Sequence, residues 1–313
     1  MTMLIKPLLL VLGVVCSLLP ATTMGAETRI LRRVALAENL DPNAGLRLMQ
    51  YTSTFSLLPQ KNVVGGNYTS NTAPPGTSAG AATAGNIIGM LIVKGITQSE
   101  QTRVHEFREK LESELSQIDI AAELSSEVNA VFQQAAFKQL AVEKVMEPAN
   151  LEQAGLLVRI PEDKILTLVT SCYFDSAQRS VHLSTAVRVW KKDFARPIYF
   201  TEMRYSSPSL EDGNTADLRS QWTDNNGALL IGYLREGVRE VGRMLRLDLL
   251  KMNNAGLAAS PVYANWTQPQ DGKKVSTAFY LLDDRPERII GRPYSPEAGL
   301  LVSIPRDVAL AAQ

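Results

Sequence analysis

The chain has 313 residues, of which 45 % are hydrophobic and 20 % charged. Its 32 basic and 32 acidic side chains cancel, so no field of one sign favours nucleic acid or an acidic membrane surface. This length suits one large domain or two modest ones. We therefore expect an ordinary globular protein that does not bind nucleic acid.

Residues 1–26 have the layout of a secretory signal peptide. MTMLIK supplies a short basic start, PLLLVLGVVCSLLP an apolar run and ATTMGA an end of mostly small residues, as in leaders that are cleaved on export. Cleavage near Glu27 would leave Cys172 as the only thiol, so no internal disulfide could form. Cys16 leaves a bacterial lipoprotein signal open, although the bulky Val15 before it fits lipidation poorly. We expect a periplasmic protein, with outer-membrane association left open.

A Gly-rich segment at 62–95 has no charged residue from Asn62 to Val93. Its first half is typical of a loop, and small residues recur at a spacing of four after the prolines. On a helix, that spacing would place them on one face that another backbone can approach closely. Three interpretations stay open: a helix packed on a sheet or on another helix, a membrane contact, and an irregular loop. The candidate contact residues are Gly76, Gly80, Gly85 and Gly89.

Two helices are predicted next. Apolar residues recur at helical spacing in ITQSEQTRVHEFREKLESELSQI at 96–118 and give it a buried stripe. The same spacing extends through LSSEVNAVFQQAAFKQLAVEKVM at 124–146, which stops before Pro148. We expect both segments to be amphipathic helices.

The apolar period then changes from that of a helix to that of a strand. KILTLVTSCYFD, RSVHLSTAVRVW and RPIYFTEMRYSS are β-branched and aromatic runs with short breaks between them, the pattern of an antiparallel meander. In the middle run, Val181, Leu183 and Val187 fall on one face. A loop at 207–222 and a long helix at 224–252 follow, with Asp224 as the expected N-cap.

The last part of the chain, 260–313, is predicted to be a small β extension of a main domain at 27–252. It contains a repeat of an earlier stretch: AGLLVRIPED at 154–163 recurs as AGLLVSIPRD at 298–307, with two differences in ten positions. Each copy has the pattern of a strand that ends at a proline. Two similar packing strands, or two equivalent strands that pair, both fit this repeat. The fold class is therefore predicted as α+β, an antiparallel meander sheet packed by amphipathic helices on one face.

The sequence contains no catalytic signature. Its two histidines, His105 and His182, do not have metal-ligand spacing, and nucleophile and phosphate-binding motifs do not occur. We therefore expect no bound cofactor or metal. The long helix carries a ridge of arginines, which we interpret as an ion-paired surface or as a contact for an anionic partner or lipid. Surface pairs within the helix are expected from Glu236 and Glu240. The ridge consists of Arg235, Arg239, Arg243 and Arg246.

The order of leader, Gly-rich segment, amphipathic helix, meander and closing helix resembles small α/β envelope proteins of bacteria, such as curli-export lipoproteins and the N-terminal domain of TolB. The resemblance covers about residues 45–250. GTSAGAATAG is also similar to the glycine-zipper segments of outer-membrane-associated proteins. The leader, the absence of catalytic motifs and the Gly-rich segment together predict a non-catalytic structural or assembly role through an envelope protein partner or a membrane surface, with a homo-oligomer left open. The alternative is a periplasmic hydrolase that uses loop carboxylates: Glu211, Asp212, Asp283 and Asp284.

Overall fold

The computed structural model describes residues 36–41, 46–53, 55–57, 98–135, 137, 140–144, 162–191, 197–211, 213–250, 262–267, 274–293 and 299–306. The predicted signal peptide, the Gly-rich segment and residues 154–161 of the first repeat copy lie outside these ranges. The helices are α1 Leu36–Asn39, α2 Gln98–Leu115, α3 Ile120–Gln134 and α4 Thr215–Leu249. The strands are β1 Leu46–Thr52, β2 Leu140–Lys144, β3 Lys164–Phe174, β4 Val181–Lys191, β5 Tyr199–Ser206, β6 Val262–Thr267, β7 Lys274–Asp284, β8 Arg288–Pro293 and β9 Leu300–Pro305.

The strands form one nine-stranded sheet in the order β2-β1-β3-β4-β5-β9-β8-β7-β6. The three predicted runs of the meander are its centre, since β3, β4 and β5 pair antiparallel in sequence order. The sheet as a whole is mixed, because β1 pairs parallel with both β2 and β3, and β5 pairs parallel with β9. The fold class is therefore α+β, as predicted, but the sheet is not wholly antiparallel.

The four C-terminal strands continue the central sheet. β9 adds to the edge of β5, with Glu202 to Tyr205 opposite Leu300 to Ser303. This pairing joins strands that are about a hundred residues apart in the chain, and no local pattern in the sequence reports such a pairing. β9 consists of residues 300–305 of the second copy of the repeated stretch, so this part of the copy forms a strand ending at Pro305.

The described helices pack on one face of the sheet through a common hydrophobic core. This core contains Phe107 and Leu111 of α2, Val128 and Phe132 of α3, and Leu234 of α4. The predicted alternation in β4 is confirmed, because its odd-numbered aliphatic residues belong to this core. They are Val181, Leu183, Val187 and Val189.

The opposite face of the central strands, here called the rear face, is also buried. Every residue of β3 except the first is buried, and so are the first nine of β4. A separate apolar cluster of Met49, Ile165, Val169 and Ala186 lies there. The rear face therefore combines apolar with polar residues away from water, where polar groups need hydrogen-bond partners.

The second predicted helix is only half right. α3 ends at Gln134, and residues 140–144 form β2 instead of continuing the helix. These residues pair with β1 in parallel register from Leu46 opposite Leu140 to Gln50 opposite Lys144. LAVEK suits either structure by local preference, so the backbone partners offered by β1 decide the outcome.

The long helix begins nine residues before the predicted start. Asn214 is the N-cap, and its side chain accepts hydrogen bonds from the backbone N–H groups of Ala216 and Asp217. Asp224 lies instead at a break in α4, where Asn225, Asn226 and Gly227 have left-handed φ angles of 51°, 57° and 66°. Asn and Gly tolerate this conformation better than other residues. The NNG sequence thus makes a turn between two helical pieces.

Two glycines of α4 allow a test of how closely the helix lies on the sheet. A Cβ at Gly237 would lie 2.9 Å from Tyr205 Cδ1 and 3.3 Å from Leu183 Cβ, whereas one at Gly232 would meet nothing within 4 Å. We expect Gly237→Ala to lower the free energy of unfolding, because overpacking costs about 1–3 kcal/mol. The matched control Gly232→Ala should raise it by about 1 kcal/mol, because alanine favours a helix. Urea unfolding of both variants measures this difference, and equal stabilities would contradict the close packing.

Candidate functional site

Charged side chains connect α4 to the C-terminal strands. Glu240 is only 5 % exposed, and its carboxylate accepts two hydrogen bonds from the Arg285 guanidinium, at 2.8 Å and 2.5 Å. The Ser303 hydroxyl of β9 donates a third at 2.7 Å. Because both carboxylate oxygens are bonded, the buried charge is well compensated. We call Glu236, Glu240, Arg285, Arg288 and Ser303 the helix–strand joint.

Arg288 of β8 is the second anchor of the joint. It is 3 % exposed, and it donates to the backbone oxygens of Ser206 and Ser303 at 2.5 Å and 3.0 Å. Its Nη1 donates to Glu236 Oε1 at 3.2 Å. Its guanidinium carbon also lies 4.4 Å from the ring centroid of Tyr205, an attractive cation–π geometry. A single side chain thus contacts α4, β5 and β9.

The partners of the helix carboxylates in the joint differ from the expected ones. Glu236 and Glu240 were predicted to pair with arginines on the same helix, but the structure directs both towards the C-terminal strands. Arg285, Arg288 and Ser303 were not predicted as site residues. The only sequence signal was the pair of arginines in DDRPER, which has no visible connection to α4, about fifty residues earlier.

The arginine ridge is largely engaged with neighbouring elements. Arg235 Nε lies 3.1 Å from Glu123 Oε1 of α3, and Arg243 Nε lies 2.8 Å from Asp283 Oδ2 of β7. Arg246 pairs more loosely with a carboxylate of α3, Glu127 Oε1, at 4.0 Å. The fourth member, Arg239, is exposed. These contacts favour the ion-paired interpretation of the ridge, and a role in binding a partner stays a prediction.

The pKa of Glu240 is set by opposing effects. Burial raises it, while hydrogen bonds from Arg285 and Ser303 and the charges of Arg285 and Arg288 lower it. The lowering prevails, so the pKa lies below its ordinary value. The carboxyl group of Glu240 is therefore charged at neutral pH.

The rear face holds a second polar group, here called the rear-face cluster: His182, Ser184, Glu202, Arg204 and Ser206. Glu202 Oε1 accepts hydrogen bonds from the Ser184 hydroxyl at 2.6 Å and from Arg204 Nη2 at 2.7 Å. His182 Nδ1 lies 2.9 Å from Ser206 Oγ. All five residues are buried on adjacent strands β4 and β5. The cluster therefore satisfies most of its polar groups internally.

His182 is the unusual member of this cluster. It is 2 % exposed, and its Nε2 has no hydrogen-bond partner. Burial, reinforced by the charge of Arg204, lowers the pKa of His182 to about 3. A base this weak accepts a proton poorly at neutral pH. The hydrogen bond between His182 and Ser206 therefore fits a structural role better than activation of the Ser206 hydroxyl as a nucleophile.

The remaining candidate groups are spread over the fold. Asp283 and Asp284 end β7 and so belong to a strand, not to a loop, and Asp284 pairs with Arg306. Cys172 is buried, as predicted, and burial raises its pKa to about 12. His105 is exposed on α2 beside Glu109.

Two further possibilities concern a metal site and membrane spans in the described ranges. In this part of the chain, no group of three or more His, Cys, Asp or Glu side chains is placed to hold a metal ion. Among the helices described above, none combines the length and the apolar character needed to cross a bilayer. Gly76, Gly80, Gly85 and Gly89 lie outside the described residues. Their role as contacts stays a prediction.

The lowered pKa of Glu240 predicts a pH-dependent contribution to stability. Because the folded pKa lies below the unfolded one, the contribution is present above the unfolded value, about 4.3, and is lost as the pH falls through the folded pKa. Glu240→Gln should therefore destabilise the protein at neutral pH, on the order of 3 kcal/mol, and less so in acid. Urea unfolding of the variant and the wild type, at neutral pH and in acid, measures this loss in the free energy of unfolding. An equal loss under both conditions would contradict a charged Glu240.

The neutral imidazole of His182 predicts the absence of a titration. The unfolded chain protonates histidine near pH 6.5, whereas the folded chain keeps His182 neutral down to about pH 3. The burial of neutral His182 therefore costs no free energy of unfolding above the unfolded pKa. Below that pKa the unfolded chain gains a proton that the folded chain does not, so the free energy of unfolding falls as the pH falls. In the variant His105→Gln, the one remaining imidazole should show unchanged NMR shifts from neutral pH to about pH 5, below its ordinary pKa. A midpoint near the ordinary value would contradict the burial.

No family model and no curated protein matches this chain. Among solved structures, it is similar to a hypothetical protein, CT253, from Chlamydia trachomatis, at 15 % identity and a TM-score of 0.25. That similarity covers 64 % of this chain and 98 % of the other. At this level it supports no inference about function.

Proposed function

We propose that the protein is exported and acts in the bacterial cell envelope as a non-catalytic structural or assembly component. Its contacts would be with an envelope protein partner or a membrane surface, on the periplasmic side, with outer-membrane association left open. The leader at 1–26 and the uncharged tract from Asn62 to Val93 support this role from the sequence. A tract without charge and rich in small residues is suited to close contact with another backbone.

The observation that carries the proposal is that carboxylates near α4 and the C-terminal strands are paired with arginines of the fold. Glu240, Asp283 and Asp284 each pair with an arginine from another part of the fold. A carboxylate paired in this way is engaged by a guanidinium group of the fold itself. These groups act in holding the fold together, which suits a protein that works through its surface.

The same contacts weigh against the alternative, a periplasmic hydrolase that uses loop carboxylates. Two carboxyl groups of a hydrolase act on opposite sides of one scissile bond. Asp283 is instead paired with Arg243 and Arg285, at 2.8 Å in each case, and Asp284 with Arg306. Glu211 is exposed, and Asp212 lies outside the described residues.

The test is fractionation of cells that express the full chain. We expect it in the envelope fraction, retained in high salt and released by detergent, because contacts of an uncharged tract are not screened by ions. Gly80→Leu with Gly85→Leu should release the protein, since two bulky side chains would separate the backbones. Gly232→Ala, on an open position of α4, is the control and should stay bound.

Two results would contradict the envelope role. One is a freely soluble periplasmic protein whose fractionation is the same with and without the glycine substitutions. The other is a hydrolytic activity of the purified protein that disappears in Asp284→Asn and persists in Gly232→Ala.

A further inference from the structure

The break in α4 consists of consecutive residues in the left-handed conformation. Asn225, Asn226 and Gly227 all have positive φ angles, and we call them the left-handed turn. Left-handed residues normally occur singly, because the Cβ of an L-residue then lies too close to the following carbonyl oxygen. A run of such residues persists only when the surrounding structure holds it.

Contacts on both sides hold the left-handed turn. Before it, the fully buried Trp222 donates from Nε1 to the backbone oxygen of Gln178 at 2.7 Å. Gly227 itself lies close to α2, since a Cβ added there would be 2.9 Å from Glu114 Cβ. After the turn, Leu230 belongs to the main core. The turn is therefore fixed between two anchored pieces of α4.

The same turn contains a chemically labile pair of residues. Asn226 and Gly227 form the one Asn–Gly pair in the sequence, and asparagine is among the thermolabile residues of proteins. The backbone nitrogen of the next residue can attack the side-chain carbonyl carbon of an asparagine. This attack is easiest before glycine, because no side chain obstructs the nitrogen and the backbone is least restricted. Asn226 is exposed, so water reaches its side chain.

The reaction at this pair consumes only water. The Gly227 nitrogen forms a bond to Asn226 Cγ, and its proton passes through solvent to the side-chain amide nitrogen, which leaves as ammonia. The product is a five-membered succinimide ring. Water then opens the ring at one of its two carbonyl carbons and gives aspartate or isoaspartate. Neither step needs an oxidant or a reductant.

The left-handed turn keeps the two reacting atoms apart. Closure of a nearly flat ring requires the Gly227 nitrogen to eclipse Cβ of Asn226 about the Cα–C bond. The ψ angle of Asn226 is 40°, which places that nitrogen on the opposite side of this bond from Cβ. The reaction therefore needs a large rotation about the Cα–C bond, which the two anchored pieces of α4 prevent.

We propose that Asn226 is a modification site controlled by the left-handed turn: it deamidates to aspartate or isoaspartate when the turn opens and is protected while the turn is closed. A short segment can open without global unfolding. Isoaspartate adds one carbon to the backbone between the two pieces of α4, so it changes the turn that places Trp222 and Gly227 at their contacts. This inference does not depend on the envelope role, because it concerns only the chain itself.

The first experiment compares deamidation in the folded and the unfolded chain. The purified wild-type chain is incubated at one pH and temperature, without and with guanidinium chloride, and peptide mass spectrometry follows Asn226. We expect deamidation to be slower in the folded chain by about tenfold or more, because the rate follows the population of the open turn. Equal rates in the two states would overturn the protection, and an unmodified Asn226 in the unfolded chain would overturn the site.

Asn225 is the matched control within the same chain. It is also left-handed and exposed, but the residue that follows it, Asn226, has a side chain that obstructs the attack. In the unfolded chain, Asn225 should therefore deamidate more slowly than Asn226, by about tenfold. Equal rates at the two residues would show that Gly227 does not define the site.

The second experiment loosens the turn while the chain stays folded. Trp222→Phe removes the hydrogen bond to the backbone oxygen of Gln178, and the milder Arg219→Gln removes the one from Nε to Gln178 Oε1. We expect either variant to deamidate severalfold faster at Asn226 in native buffer, with no change at Asn129, which lies within α3.

Circular dichroism establishes which of the two variants is folded, and Arg219→Gln alone decides the result if Trp222→Phe is not. A faster reaction at Asn226 alone supports control by the turn. An unchanged rate at Asn226 in a folded variant, or an equal increase at Asn129, would contradict it.

Discussion

The ion pair between Glu240 and Arg285 is the contact on which the placement of the C-terminal strands depends. A carboxylate that is almost fully buried is costly unless its oxygens are bonded, and here Arg285 and Ser303 bond both of them. Both partners come from the C-terminal strands and their connections, Arg285 just after β7 and Ser303 in β9. The charge on α4 is therefore stable only when those strands are in place, and the ion pair adds to the β5–β9 pairing that holds them there.

The helix α4 consequently has two roles in the fold. Its apolar residues, such as Leu234, Val241 and Leu245, belong to the main core with β4 and β5. Two of its acidic residues, Glu236 and Glu240, bond instead to arginines near the C-terminal strands. Gly237 lies where the helix meets Tyr205, so a position without a side chain sets how near the acidic residues come to the strands. Packing and charge pairing thus depend on the same helix position.

The sequence predicted the elements whose signals are local. The alternation in β3 to β5 and the apolar spacing in α2 and α4 were sufficient to identify them. It did not predict β2, because LAVEK becomes a strand only beside β1. The joint was missed for the same reason: Glu240 and Arg285 are distant in the chain, and Glu240 fits equally well as an ordinary surface residue of a helix. The start of α4 was missed because Asp224 is as suitable an N-cap as Asn214.

The most direct test of the joint is a double-mutant cycle on Glu240 and Arg285, with each changed to glutamine singly and together and the free energy of unfolding measured at neutral pH. Contacting charged residues show coupling of about 0.5–3 kcal/mol, and we expect a value in the upper half of that range. Arg285→Gln removes both guanidinium hydrogen bonds from the buried carboxylate, and Glu240→Gln removes the charge that faces Arg285. Both changes break the same contact, so the double change should cost less than the sum of the two. Costs that add to within about 0.5 kcal/mol would mean that this pair does not hold the strands.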